Sequence, residues 1–201
     1  MKKIALLVIC LTGFFAANAQ VTIKPGIRAG ANFATLTQTE FDTKTDFYAG
    51  GLVAIKLSRF YTLQPEINYS KQGAAGPATY TDYYSGETHT ISGDVDIDYL
   101  SFGIINKFTF NDQFDFHFGP TLDFETSSNI YTDSDADLGL TAGIGYTLPF
   151  GLTIEARVKK GLVDVIETSD YMYDSFVDDY NTNFLFQVGL SYTFTAKGTT
   201  K

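Results

Sequence analysis

Eight stretches of the chain alternate apolar and polar residues with a period of two, and the connections between them are alternately short and long. Period-two alternation marks strands with one apolar and one polar face. The short connections are Ser58-Arg59, Asn111-Asp112-Gln113 and Pro149-Phe150-Gly151, and the long ones span about residues 35–46, 72–94, 126–136 and 161–181. A tight connection makes its two strands antiparallel neighbours. A meander in which every second connection is tight therefore collects all the long loops at one end.

The stretch FDFHFGPTLDFE at 114–125 shows the pattern at full strength. Phe114, Phe116, Phe118, Leu122 and Phe124 share one parity, and Asp115, His117, Thr121, Asp123 and Glu125 share the other. The other runs begin at about Ile23, Phe47, Tyr61, Leu100, Leu138, Leu152 and Phe184, with Asn106 interrupting the apolar face of the fourth strand. Eight strands in an open sheet would leave two unpaired edges. Closure removes both, so the expected fold is all-β: an eight-stranded antiparallel up-and-down barrel.

Alternation alone also fits a soluble barrel of the lipocalin kind, which turns its apolar face inward around a ligand. Three features favour a transmembrane β-barrel instead. One face is apolar almost without interruption on every strand, aromatic residues gather near the strand ends, and the closing NFLFQVGLSYTF ends on an aromatic of the apolar face. The absence of tryptophan departs from a typical aromatic girdle. In lipid an open sheet edge is not tolerated, and short periplasmic turns with long external loops are the plan of an outer-membrane barrel.

The N-terminus agrees with that destination. MKKIALLVICLTGFFAANAQ has two lysines, an apolar run from Ile4 to Phe15, and Ala17-Asn18-Ala19 as a small-residue cleavage site. The expected division is a signal peptide at 1–19 and a barrel domain at 20–201. Cys10, the single cysteine, lies in the leader, so the mature chain has no disulfide and no thiolate metal site. Without Lys2 and Lys3, 12 basic residues face 23 acidic ones, a net charge of −11. That excess argues against nucleic acid as a partner. No later segment has 18 continuous apolar residues, so no transmembrane helix is expected.

The order IRAGANFATL, YTLQPEINYSKQGA, DYLSFGIINKFTF, FHFGPTLDF, LGLTAGIGYTLPFGLTIEARVKKGL and QVGLSYTF resembles the outer-membrane β-barrel family of the PorT kind. The resemblance covers nearly the whole mature chain, and Leu63-Gln64-Pro65-Glu66 with Tyr69-Ser70 is its most specific part. Family members often have a Tyr-Leu-x-Ile-Pro run, here Tyr99-Leu100-Ser101-Phe102-Gly103 without the proline. The resemblance implies the outer membrane of a Gram-negative bacterium, with loops exposed at the cell surface and a link, in some relatives, to secretion or gliding machinery. It supports the fold far more than a task.

The polar parity supplies the candidate interior. Lys24, Arg28, Lys56, Lys107, Arg157 and Lys159 stand against Glu66, Asp115, Asp123, Glu125 and Glu155, with His117 among them. An eight-stranded lumen is only wide enough for side chains to fill, and buried charges are tolerated when paired. A packed network of ion pairs is therefore expected, with Glu66 on the strand between those of Lys56 and Lys107 and in reach of either. Asp94-x-Asp96-x-Asp98 and Asp133-x-Asp135-x-Asp137 share the spacing of calcium loops. The second has Leu138 and Ile144 where such a loop needs glycine and glutamate, so both are read as acidic rim and no metal is expected. His89 and His117 form no visible triad. Neither a catalytic residue nor a cofactor is implied. The function expected is a barrel with a closed polar lumen, structural, adhesive or secretion- and assembly-associated through its loops, in contact with outer-membrane lipid and a surface or secretion-complex partner. A surface hydrolase or acyltransferase, or a narrow pore, is the competing reading.

Overall fold

The computed structural model describes residues 21–36, 42–76, 78–81, 88–91, 93–129, 136–162 and 183–194. The expected signal peptide at 1–19 lies outside them, as do Asp133, Asp135 and most of the fourth long connection. Among the described residues there are ten strands: β1 Thr22–Leu36, β2 Lys44–Lys56, β3 Tyr61–Ala74, β4 Ala78–Thr81, β5 Thr88–Ile91, β6 Val95–Phe110, β7 Phe114–Ser128, β8 Ala136–Thr147, β9 Leu152–Gly161 and β10 Asn183–Thr193.

Eight of them close into one antiparallel barrel in the order β1-β10-β9-β8-β7-β6-β3-β2, and β1 pairs with both β2 and β10. The expected barrel is thus the observed one. The remaining two form a hairpin inside the 72–94 connection, with Tyr80 opposite His89. Sequence reading takes that whole segment as loop, because four-residue strands are too short for a period-two signal. The same connection begins later than expected. Gln72, Gly73 and Ala74 are all buried, so the alternation fails there although β3 continues, paired to β6 as far as Ala74 and Val95.

Local chemistry sets the tight turns. Asn111 and Asp112 both have positive φ, 52° and 58°, and the Gln113 amide donates to the Phe110 carbonyl at 3.3 Å. A type I′ hairpin turn needs left-handed residues at both central positions, where Asn and Asp are among the few side chains at ease. Gly151, at φ 94°, plays that part after Pro149, and its amide donates to the Leu148 carbonyl at 2.9 Å. Between β2 and β3 the Ser58 hydroxyl accepts the amides of Phe60 and Tyr61 at 3.2 and 3.1 Å.

Burial decides which face is which. Among the described residues, 22 polar side chains are buried against 9 apolar ones. Phe116, Phe118, Ile144, Ile154 and Leu190 are each more than 40% exposed on the outer wall. A soluble ligand-binding barrel would show the reverse. At 10 to 16 residues the barrel strands also meet the ~9–11 needed to cross a bilayer obliquely. Asn106, which interrupts the apolar face, accepts a hydrogen bond from the Tyr61 hydroxyl at 2.8 Å on the same face. Its amide is thereby partnered without water, as a lipid-facing group must be. Aromatic pairs at the short-turn end, Tyr61–Phe108, Phe114–Tyr146 and Tyr192–Phe194, lie 4.9–5.3 Å apart.

Candidate functional site: the filled lumen

Four charges occupy the middle of the barrel. Arg28 of β1 donates to Glu66 of β3 at 2.6 Å and to Glu155 of β9 at 2.7 and 3.0 Å. Arg157 of β9 takes Glu66 in a two-pronged grip, at 2.9 and 2.8 Å, and reaches Glu155 at 3.1 Å. Gln64 donates to the remaining side of Glu66 at 2.7 Å. All four ionised side chains are at most 3% exposed, and their charges sum to zero. Planar guanidinium forks suit this task, since each can serve two carboxylates at once.

The pairing corrects the expectation for Glu66. Its partners are the two arginines, whereas Lys107 goes to Asp115 at 3.2 Å and Lys56 ends β2 in the open. Reasoning from neighbouring strands misses contacts across the lumen: β9 stands four places from β3 in either direction around the ring, so Arg157 meets Glu66 from directly opposite.

Room for the network comes from glycine. Tyr48 packs its ring 4.5 Å from the Arg28 guanidinium, and Gly30, its cross-strand neighbour, pairs with Gly189 on the other side. A Cβ on Gly30 would sit 2.8 Å from the Tyr48 hydroxyl. Any side chain there would expel the ring from a narrow lumen.

Above the charged quartet, toward the long connections, lies a layer of amides and hydroxyls. Gln187 donates to Asn32 at 2.7 Å, Asn32 to Ser70 at 2.9 Å and to the Lys71 carbonyl at 2.6 Å, and Gln72 to Ser70 at 3.1 Å; Asn183 also donates to Gln72. Below the quartet, Asp115 accepts from His117 at 2.7 Å beside Lys107, and on the long-connection side Lys159 pairs with Asp123. A cavity of about 20 Å³ borders both quartet and layer, room for about one water.

Of the remaining candidates, Lys24 is half-buried near the short-turn end, and Glu125 is half-buried opposite Tyr99, next to an irregularity in the β6–β7 register. The neutral layer, Asn32, Ser70, Gln72, Asn183 and Gln187, was missed because uncharged polar residues on the inner parity carry no charge pattern. Tyr48 and Asp137 also point in, the latter buried opposite Asp123. Asp137 therefore belongs to the wall, not to an acidic rim loop. The Asp94–Asp98 run is tied up within the protein: Lys44 pairs with Asp96, Lys71 lies 3.7 Å from Asp98, and the Gly76 amide donates to Asp94 at 3.1 Å. Among the described residues no cluster suited to a metal ion occurs.

Known proteins place this architecture. The sequence matches the model of the outer membrane protein beta-barrel domain over residues 18–167. No curated protein sequence matches the chain. Among solved structures, Neisserial surface protein A (NspA) shares 12% identity, with 86% of this chain and 97% of that one covered, at a TM-score of 0.52. Ail, the attachment invasion locus protein of Yersinia pestis, shares 12% identity over 86% of this chain and 97% of its own, at 0.45. OprG of Pseudomonas aeruginosa shares 11% over 87% and 95%, at 0.42. At such identities the likeness to NspA speaks for the fold alone. The match to the family model spans most of the chain, and with the closed barrel, the polar lumen and the apolar outer wall it shows that this protein belongs to the outer membrane β-barrel domain family.

Proposed function

We propose that the protein is a closed, non-enzymatic outer-membrane barrel that acts through its external loops, in a structural, adhesive or secretion- and assembly-associated role. The observation that carries this reading is the lumen: a neutral quartet, an amide layer and the Lys159–Asp123 pair above it and the Lys107–Asp115 pair below it fill the interior, and the cavity between quartet and layer holds about one water. Steady ion flow through such a core would require breaking buried, paired charges.

An enzymatic reading finds little support in the same geometry. His117 has no exposed surface and is held by Asp115 inside the barrel, away from the rim where a surface substrate would arrive. Of His89 only the backbone, on β5, is described. We infer kinship with the PorT kind within the family, on the sequence stretches quoted above. The fourth long connection carries six acidic and no basic residues between 163 and 182, which favours a neutral or cationic partner over a polyanion. The test replaces residues 163–182, and separately 77–92, by short Gly-Ser linkers in cells. Loss of adhesion or of secretion with the barrel still inserted supports the reading. Turnover of lipid or peptide by the purified protein would overturn it in favour of an enzyme.

A further inference from the structure

The outer wall is not uniform. A groove of about 440 Å³ runs down one side, lined by Phe118 and Pro120 of β7, Leu140 and Ala142 of β8, Val158 of β9 and Phe184 of β10, a volume within the ~300–1,000 Å³ of small-ligand sites. It exists because Ala142 stands between Phe118 and Val158 in the ladder and fills little of the space they leave. Its rim holds Lys160, which is exposed and stands directly across from Leu140 on one side and Phe184 on the other. Lys160 sits one residue before the end of β9, at the end of the barrel with the long connections.

A lysine on this parity is out of place in an apolar wall. The other charged residues of the outer parity are paired, Lys71 with Asp98 and Asp96 with Lys44, whereas Lys160 has no ionic partner among the described residues. A long aliphatic stem lets a lysine lie along apolar surface and raise its ammonium to the headgroup level. An apolar groove ending at a cation matches a molecule with an acyl chain and an anionic head. We propose that this groove docks one phosphate-bearing lipid of the external leaflet, its acyl chain over Pro120 and Ala142 and its phosphate on the Lys160 ammonium. The proposal rests on the membrane orientation given above.

The natural absence of tryptophan makes the test direct. Phe184→Trp, beside Lys160, installs a single reporter in the full chain, reconstituted in vesicles in which brominated phosphatidylglycerol or brominated phosphatidylcholine quenches its fluorescence. The anionic lipid should quench with about fivefold preference, the size expected for one lysine at a membrane surface. Adding Lys160→Gln should bring the ratio near one, and Lys56→Gln, at the other end of the barrel, should leave it intact. Ala142→Leu, which fills the groove, should lower it. Equal quenching by the two lipids, a preference that survives Lys160→Gln, or indifference to Ala142→Leu would overturn the proposal. So would a preference that emerges only after residues 163–182 are replaced, because the acidic segment would then be the occupant of Lys160. If neither lipid quenched the reporter, the membrane orientation itself would be wrong.

Discussion

Glu66→Ala tests the charged quartet most sharply. The substitution removes the acceptor of four hydrogen bonds, from Arg28, twice from Arg157 and from Gln64, and leaves two guanidinium groups sharing Glu155 alone. Breaking a buried pair costs about 3–5 kcal/mol because a charge is left uncompensated. Glu155 still contacts both arginines, at 2.7 and 3.1 Å, so the loss should fall near the lower end, about 3 kcal/mol. Removing Glu66 and Arg157 together restores neutrality and keeps the Arg28–Glu155 pair. The double variant should therefore be less destabilised than the two single losses added, with a coupling of roughly 2 kcal/mol. Glu66→Ala with Lys107→Ala is the control: Lys107 belongs to Asp115, and the effects should add. Because the chain has no tryptophan, unfolding in urea from lipid vesicles is best followed by circular dichroism and by the mobility of the folded band on unheated gels. A loss below about 0.5 kcal/mol for Glu66→Ala, the size of an ordinary surface change, would refute the reasoning, as would additivity of Glu66→Ala with Arg157→Ala.

Other expectations follow from the same structure. Phe118→Arg on the outer wall should cost ~2–4 kcal/mol in lipid if the position lies near the midplane, and an unchanged fold of this variant in detergent-free buffer would reject the outward assignment. Gly143→Ala should cost about 1–3 kcal/mol, because the new Cβ would lie 2.7 Å from His117 Nε2 and 2.8 Å from Arg157 Cγ; equilibrium unfolding measures it, and no change would contradict the tight packing. Protease added to intact cells should cut within residues 77–92 or 163–182 and spare Asn111–Gln113. Cleavage at the short turn would reverse the topology.

Much of the fold was legible because lipid enforces a rule at every second residue. Phe114 to Phe124 show it plainly, since a single slip would turn the whole apolar set to the lumen. The interior was legible as a set of charges but not as partnerships. Arg157 and Glu66 are 91 residues apart on opposite walls, and nothing in either local stretch records that they meet. Likewise Gly30 and Gly189 look like polar-parity filler until Tyr48 is seen to occupy the space they leave. The β4–β5 hairpin escaped for a different reason: strands of four residues carry too few alternations to rise above a loop.

Whether the lumen is closed is read most directly from single-protein recordings in planar bilayers. A lumen sealed by paired charges gives no steady conductance from the unmodified protein, under either polarity, once insertion has been verified by protease protection. A stable open channel would contradict it, and would mean that the quartet of Arg28, Glu66, Glu155 and Arg157 lines a wet conduit instead of sealing the barrel.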